Sequence, residues 1–309
     1  MSKIIGIGAN VYDTLITVPF YPAEDTKLRS SSVKECGGGP CSTGLVTAAK
    51  LGADAAYVGA LADDAGGKFL LNDMKRFGMS VEYTDIVKGK SSFSSYVLLS
   101  EGSASRTCVF KKDNLPEYVL DDKKIAAIKS ADLLMIDGND MKNAIKGADA
   151  ARESGKHVLY DAGGLYDGVE NLIGYADILI PSEEYATAFT GKMTADAAAR
   201  ELYERYRPEV VVVTCGVRGG IMYDGKNITS YPAFEIDAAD TNGAGDVFHG
   251  AFAFAVTSGL NYFDSCIFSS AVSALKCTKF GARDAVPNLK TTINFLKERG
   301  YDEFEKNME

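Results

Sequence analysis

The clearest chemical pattern is the segment DTNGAGD at residues 240–246, in which small residues and carboxylates directly precede the apolar stretch VFHGAFAFAV. Small residues at the start of a helix let backbone N–H groups approach an anion, and the helix dipole adds partial positive charge there. Such a cradle suits a phosphoryl group in transfer, and Asp246 in the first turn is placed to accept a proton from an attacking hydroxyl. The alternative is that Asp240 or Asp246 only caps the helix.

A second glycine-rich segment, Gly37-Gly38-Gly39-Pro40, opens a predicted helix with the sequence CSTGLVTAAKLG. Three glycines at such a turn permit close approach of a polyhydroxylated ligand. Asp13 follows the first predicted strand, where a carboxylate can lie over the crevice of an α/β sheet and bind sugar hydroxyls. It can equally be a solvated turn residue. Asn139, after the predicted strand 132–137, is a further candidate for a hydroxyl contact.

Other nucleotide-binding motifs are missing from the sequence. The loop at 240–246 does not match the G-x-x-x-x-G-K-[ST] pattern of P-loop proteins, and the protein-kinase motifs H-R-D and D-F-G do not occur. Gly6 and Gly8 near the start lack the third glycine of a dinucleotide-binding turn, which disfavours an NAD enzyme.

Composition and charge restrict the class of protein. The chain has 309 residues, 46% hydrophobic and 24% charged, as expected for a globular enzyme. A net charge of −9 disfavours nucleic acid as a partner. No apolar run approaches the length of a membrane helix, the first residues lack a signal-peptide pattern, and the cysteines form no C-x-x-C pair. We therefore predict a cytoplasmic protein with reduced thiols, without a membrane partner.

From residue 121 onward, apolar strand patterns alternate with helical patterns. Strands are predicted at 132–137, 157–161, 177–181 and 209–214, with helices at 121–130, 140–154, 165–175, 182–190, 194–207, 243–258 and 261–278. This alternation predicts an α/β fold with a doubly wound, mostly parallel sheet flanked by helices.

Residues 14–35 and 81–110 do not fit that alternation. The second stretch contains two β-type runs separated by a Gly/Ser turn, which is a hairpin signal. We predict that these two segments form a small separate β-sheet. The main α/β domain then consists of residues 1–13, 36–80 and 111–309.

With these two glycine motifs in this order, the sequence resembles the ribokinase/PfkB family of carbohydrate kinases. The matching motifs are the glycine motif at 37–52 and D-T-x-G-A-G-D at 240–246, which continues into Phe248 and Gly250-Ala251-Phe252. The resemblance covers nearly the whole chain and implies a ribokinase-like fold. It also implies that the small sheet is a lid, which covers the sugar and often forms the contact of a homodimer.

The resemblance implies ATP with Mg²⁺ and a sugar as ligands, and a role for each matching position. Asp246 would be the catalytic base, and the N–H groups of residues 243–246 would bind the transferred phosphate. The sugar would be held by Asp13, Gly37, Gly38 and Gly39. The nucleotide would lie by Thr214, Gly216, Gly219, Gly243 and Gly245, with Gly281 and Ala282 near the adenine. A monovalent cation, with K⁺ as the candidate, would bind at Asp240 and Asn242.

The sequence departs from the family pattern at two places. Ser42 stands where many members have Asn, which alters the predicted sugar contacts at this residue and disfavours ribose. The central N-x-x-E motif reads Ser182-Glu183-Glu184-Tyr185, so the protein contacts of Mg²⁺ cannot be assigned from it. Glu183 and Glu184 are interpreted as an acidic pair at a helix N-terminus.

The two motifs look most like those of ketose kinases, including sulfofructose and fructose-type kinases. Arg106, Lys27 and Arg29 lie in or near the predicted lid and are candidates to bind an anionic substituent of the sugar, the alternative being plain surface charge. Two other functions stay open. One is a nucleoside kinase of the same family, and the other is a non-catalytic regulator that binds a sugar or nucleotide.

Overall fold

The structure is a computed structural model that describes residues 1–103, 105–165 and 168–307. Residue 104 of the predicted lid, residues 166 and 167 of the predicted helix 165–175, and residues 308 and 309 of the α/β domain lie outside the described residues.

Strands and helices follow one another along most of the described chain. The strands are β1 (Lys3–Ile7), β2 (Val11–Val18), β3 (Ser32–Gly38), β4 (Asp54–Tyr57), β5 (Gly59–Ala62), β6 (Thr84–Val87), β7 (Ser94–Ser100), β8 (Arg106–Lys111), β9 (Leu133–Ile136), β10 (His157–Ala162), β11 (Ile178–Pro181), β12 (Val210–Thr214), β13 (Gly220–Tyr223) and β14 (Ile228–Tyr231). The helices are α1 (Pro40–Leu51), α2 (Ala65–Arg76), α3 (Asp122–Ser130), α4 (Met141–Glu153), α5 (Val169–Ile173), α6 (Glu183–Thr190), α7 (Ala195–Tyr206), α8 (Ala244–Thr257), α9 (Tyr262–Cys277), α10 (Leu289–Lys297) and α11 (Glu303–Asn307).

The main sheet has the strand order β14-β13-β12-β11-β10-β9-β1-β4 within the described ranges. The strands from β12 to β4 in this order are parallel, and β13 and β14 form an antiparallel edge. Strands buried on both faces must be apolar throughout, which explains runs such as Val210–Thr214. The predicted doubly wound, mostly parallel fold is confirmed.

Helices cover both faces of the main sheet and enclose two apolar cores. One core contains Leu45, Phe252 and Phe268, and the other contains Ile128 and Leu202. On the first face, α1 and α8 approach unusually closely, since a Cβ at Gly250 would lie 2.0 Å from the carbonyl oxygen of Gly44. This close packing brings together the two helices that follow the two glycine motifs.

A second, four-stranded sheet has the order β3-β2-β7-β8 and is named the lid below. Its strands fall largely within the predicted lid segments, and β7 and β8 form the predicted antiparallel hairpin. Two details differ from the expectation. Asp13 lies inside β2, paired with Cys36, rather than in a turn after β1, and Thr84–Val87 pairs with β5 in a separate small sheet. A helix able to cross a membrane does not occur among the described residues.

Candidate active site

A cleft of about 630 Å³ lies between the lid and the carboxyl ends of the main-sheet strands. Both glycine motifs contribute to its lining, through Gly38, Gly39 and residues 241–246, and Asp13 faces it from the lid. Ligands of open α/β sheets bind at this edge because the loops there converge. The structure therefore brings together two motifs that are about 200 residues apart in the sequence.

The loop before α8 leaves space for an anion beside the backbone N–H groups at the start of the helix. Gly243 has a φ of 74°, which favours glycine, and no side chain caps the first N–H groups of the helix. A Cβ at Gly245 would meet no atom within 4 Å, so the backbone there faces free space. Asp240 binds the N–H groups of Asn242 and Gly281 instead of capping α8. The capping alternative is therefore disfavoured for both aspartates. The N–H of Ala244 donates to the carbonyl oxygen of Thr241 at 3.2 Å, so the amides of Gly243, Gly245 and Asp246 are the ones available to a ligand.

Asp246 lies in the first turn of α8 and lines the cleft. Burial raises the pKa of its carboxyl, while the nearby His249 lowers it. A carboxylate with a raised pKa is a stronger base toward a hydroxyl proton. The position and the environment of Asp246 therefore suit a general base.

A second carboxylate, Asp161 on β10, lines the same cleft and was not identified from the sequence. Burial raises its pKa to about 7, opposed by His249 and assisted by the charge of Asp246. The Nδ1 atom of His249 lies 3.3 Å from Asp161 Oδ2, and its Nε2 lies 2.9 Å from the carbonyl oxygen of Ile180. Asp161 and Asp246 therefore both face the cleft as buried carboxyl groups with raised pKa values, and His249 lowers the pKa of each.

The predicted sugar-binding glycines form the end of β3 and the turn into α1. Gly39 has a φ of 90°, and a Cβ there would lie 2.7 Å from the carbonyl oxygen of Ala9. A Cβ at Gly38 would lie 1.9 Å from Asp13 Oδ2, so glycine at this position leaves room for the Asp13 carboxylate. Ser95 donates a hydrogen bond of 2.6 Å to Asp13 Oδ1 and orients it.

The carboxyl group of Asp13 provides a test of the electrostatics of the cleft. Burial raises its pKa to about 6, although Ser95 and Arg283 oppose that shift. The folded protein thus binds this proton more tightly than the unfolded chain, and stability is lost as the pH rises through about 6. Asp13→Asn is therefore expected to raise the free energy of unfolding by on the order of 3 kcal/mol at pH 8, and to change it little at pH 4. Urea unfolding at both pH values measures this difference, and an equal effect at both would contradict it.

Arg283 supports the glycine turn from behind and is 3% exposed. Its guanidinium donates to the carbonyl oxygen of Gly38 at 2.6 Å, to Asn10 Oδ1 at 3.1 Å and to Asp73 Oδ2 at 2.7 Å. A Cβ at Gly37 would lie 2.0 Å from Nη1 of Arg283, so Gly37 makes room for this side chain. No sequence pattern identified Arg283, because its partners lie more than 200 residues away.

Asp137 links the loop after β1 to the start of α1 through hydrogen bonds. Its buried carboxylate accepts hydrogen bonds from the N–H groups of Ala9, Cys41 and Asn139, at 2.8, 3.0 and 2.9 Å. Sequence analysis did not select Asp137. The sequence did contain a signal for Asp137, because this residue directly follows the buried strand β9. Asn139, which the sequence analysis selected, lies two residues further along.

An apolar pocket of about 270 Å³ adjoins the cleft on the other side of the 240–246 loop. Thr214, Gly216, Gly219 and Gly245, all predicted to lie by a nucleotide, line this pocket. Thr214 and Gly245 also line the cleft, together with Thr241 and Ala244. A ligand in the pocket can therefore reach the amides at the start of α8.

Some predicted site residues lie elsewhere. Ser42 is fully buried, and its Oγ has no hydrogen-bond partner in the described part of the chain. Like Gly37 and Gly281, it is outside the lining of the cleft and of the apolar pocket. Ala282 lines the cleft rather than the pocket, and a Cβ at Gly243 would lie 2.9 Å from its Cβ.

Of the remaining candidates, Arg106 and Asn139 line the cleft, whereas Lys27 and Arg29 are exposed and do not line it. Arg106 on β8 donates a hydrogen bond to the side-chain oxygen of Asn242, which links the lid to the loop before α8. Asn139 accepts from Lys112 through its carbonyl and side-chain oxygens, at 3.2 and 3.1 Å. Lys112, which sequence analysis did not select, therefore adds a positive charge beside Asn139.

The segment 182–185 starts a helix, as its acidic pair predicts. Ser182 accepts from the N–H of Tyr185 and caps α6, and Glu183 and Glu184 lie in the first turn. Glu183 also binds Arg218, while Tyr185 is buried. The interpretation of Glu183 and Glu184 as a helix N-terminal pair is confirmed.

Comparisons with known proteins agree with this geometry. The family model described as "pfkB family carbohydrate kinase" matches residues 1–289. A ribokinase from Haemophilus influenzae is 24% identical over 94% of this chain and 97% of its own length. A ketohexokinase from Mus musculus is 25% identical over 89% of this chain and 96% of its own length. The structure of Arabidopsis thaliana ribokinase with ribose and ATP superimposes with a TM-score of 0.86 over 96% of this chain and 98% of that one, at 22% identity, and shows a shared fold.

Proposed function

The chain belongs to the pfkB family of carbohydrate kinases, and from that premise we propose that it transfers the γ-phosphoryl group of ATP to a hydroxyl of a ketose. Membership of this family of carbohydrate kinases supports ATP-dependent phosphorylation of a sugar. The observation that carries the proposal is the single cleft in which Asp246, the open amides of α8 and the glycines of β3 meet.

The cleft suggests a role for each group in the transfer. Asp246 takes the proton of the attacking hydroxyl, whose oxygen forms the new bond to phosphorus as the bond to the departing ADP oxygen breaks. The N–H groups of Gly243, Gly245 and Asp246 stabilise the charge on the transferred group. The lid covers the cleft and excludes water, which favours transfer to the sugar over hydrolysis.

The sugar is proposed to lie between the lid and the glycines of β3. Asp13, held by Ser95, binds two hydroxyls, and Asn139 with Lys112 binds another. Arg106 lines the same cleft and is suited to an anionic substituent such as a phosphate or sulfonate. Ser42 is buried outside the cleft, so we assign it the indirect role of packing behind the glycine turn.

ATP is proposed to occupy the apolar pocket, with its phosphates directed over Thr214 and Gly245 into the cleft. Gly281 and Ala282 do not line this pocket, so the adenine is not placed beside them. Mg²⁺ bound with ATP neutralises phosphate charge. Asp161 lines the cleft and would be its protein contact; its Oδ2 lies 3.3 Å from His249 Nδ1 and accepts no hydrogen bond within the described residues. No cluster of three or more acidic, His or Cys side chains suited to a metal occurs among the described residues.

A screen for ADP release tests the function. The panel contains ketoses, aldoses, sugar phosphates, sulfosugars and nucleosides, each with ATP and Mg²⁺, and mass spectrometry identifies the product. We expect phosphorylation of a ketose, and stronger turnover when the ketose carries an anionic group. Phosphorylation of nucleosides alone would instead establish a nucleoside kinase. Binding of a sugar or a nucleotide with no ADP release from any panel member would favour the non-catalytic regulator.

We also propose that the outer face of the lid forms a homodimer. Val33, Tyr96 and Val109 lie on the face opposite Asp13 and are 61, 52 and 63% exposed. Apolar side chains clustered on an exposed sheet favour association with a complementary surface. Sedimentation should give the mass of a dimer, and Tyr96→Lys should shift it to a monomer. A monomeric wild-type protein at micromolar concentration would exclude this dimer.

The proposed location is the cytoplasm, where ATP is available. All six cysteines are free thiols, as expected in a reducing compartment. Fractionation of the source cells should recover the protein with cytoplasmic enzymes, and recovery outside the cytoplasm would contradict the proposal.

A further inference from the structure

Lys276, in the last turn of α9, is a lysine whose side chain is 0% exposed. Its Nζ donates to the carbonyl oxygen of Asp240 at 2.8 Å and to the carbonyl oxygen of Asn242. The carboxylate oxygen Oδ2 of Asp240 lies 3.9 Å from the same nitrogen. A buried lysine is costly unless oxygens surround its ammonium group, and here three oxygens of one turn do so.

These oxygens belong to the two residues at which the family resemblance placed a monovalent cation. Carbonyl and carboxylate oxygens are the ligands that such a hard cation takes. The Lys276 ammonium already occupies their centre, and a second positive charge at the same oxygens would be repelled strongly in a buried site. The residues present therefore do not fit K⁺ at Asp240 and Asn242.

The turn that Lys276 holds directly precedes the phosphate-binding amides. Asp240 Oδ1 accepts from the N–H of Asn242 at 2.8 Å, and Oδ2 accepts from the N–H of Gly281 at 2.9 Å. The N–H groups of Ala239 and Asp240 donate to the carbonyl oxygen of Cys277, at 2.8 and 3.1 Å. These bonds fasten the turn to the end of α9. Because Gly243 follows Asn242 directly, the position of the ammonium group sets the position of the first amides of α8.

We propose that Lys276 is a built-in cation that replaces the monovalent ion and positions residues 243–246 for phosphoryl transfer. Lys276 is thus a positioning residue, since it acts through the turn and does not line the cleft. This inference rests on the proposed function for the role of the amides. Its consequence is that the enzyme needs no K⁺.

The first experiment compares the wild-type protein in KCl, NaCl and choline chloride at equal ionic strength. The thermal unfolding midpoint and kcat are expected to be the same in the three salts, with kcat changing by less than about twofold since ionic strength is held constant. A large gain in either quantity with K⁺ would overturn the proposal.

The second experiment uses Lys276→Ser, which leaves the oxygens in place and makes room for an ion. In choline chloride, we expect a lower unfolding midpoint and a kcat reduced by about tenfold or more, because displaced catalytic groups cost up to about 10²-fold. KCl should restore part of both losses. Lys290→Ser removes an exposed lysine on α10 as the matched control and should behave as wild type.

Rubidium shows directly where a cation binds. Crystals of Lys276→Ser in RbCl should show anomalous density between Asp240 and Asn242, and wild-type crystals should not. Rubidium at that site in the wild type, or a Lys276→Ser protein with wild-type kcat and midpoint in choline chloride, would refute the proposal. If Lys276→Ser does not fold, the wild-type salt series and the wild-type rubidium crystals decide. The unfolding and rubidium results need no sugar, so they stay informative even if the proposed kinase activity fails its screen.

Discussion

Replacement of Asp246 by Asn is expected to preserve the fold and to reduce kcat by between about 10² and 10⁴, the usual contribution of a general base. Asn has nearly the same shape as Asp and leaves the amides at the start of α8 in place, but it cannot take the hydroxyl proton. The loss corresponds to about 3–5 kcal/mol of transition-state stabilisation. The residual rate should come from the amides, which still stabilise the transferred group.

The pH profile separates a catalytic role of Asp246 from a structural one. A base works when it is deprotonated, so kcat/KM of the wild type should fall as the pH drops. Burial raises the pKa of Asp246, so this fall should begin above the pH range of an ordinary aspartate. We expect Asp246→Asn to lack most of this pH dependence. Asp149→Asn, an exposed change on α4, is the control and should match the wild type.

Measurements use the sugar identified by the ADP-release screen, with circular dichroism to verify folding. An Asp246→Asn protein that kept its turnover on that sugar would rule out Asp246 as the base. Loss of turnover together with an unfolded spectrum would not count as support.

Replacement of Arg283 by Met is expected to give the largest loss of stability, about 3 kcal/mol. Removing one partner of a buried ion pair typically costs about 3–5 kcal/mol, since the other charge is left without compensation. We expect the lower end of that range, because Arg76 still binds Asp73 Oδ1 at 2.8 Å. The carbonyl oxygen of Gly38 also loses its donor, so the KM for the sugar should rise while the KM for ATP changes little.

Urea unfolding and steady-state kinetics measure the two effects of the Arg283 change. Arg76→Met is the matched control, because it removes the exposed partner of the same carboxylate and should cost less than about 1 kcal/mol. Adding Asp73→Asn to Arg283→Met should recover part of the stability, since the buried charge is then absent. Equal losses of unfolding free energy for Arg283→Met and Arg76→Met would show that the buried Arg283–Asp73 pair contributes no more to stability than the exposed pair.

Local features of the chain were predictable because they depend on neighbours in the sequence. The run of β-branched residues at Val210–Thr214 favours a buried strand, and the glycines at 243 and 245 mark the start of an apolar helix. Repeated alternation of such elements leaves few folds, and the parallel sheet follows from it. The catalytic candidate Asp246 was therefore visible without a structure.

Pairing between distant segments was not predictable in the same way. The segment at Thr84–Val87 has the composition of a strand, but nothing in it indicates that its partner is β5 rather than the lid. Asp13 likewise carries no sign that it lies within a lid strand. Strand composition is a local property, whereas the choice of partner depends on the packing of the whole sheet.

Buried polar contacts depend on the fold most strongly. Arg283 reaches Gly38 across 245 residues, and Lys276 reaches the Asp240–Asn242 turn because α9 packs along α8. In the sequence both are ordinary basic residues, expected at the surface. Their roles arise because folding removes them from water, so that each charge must find oxygens, and the fold alone supplies those oxygens.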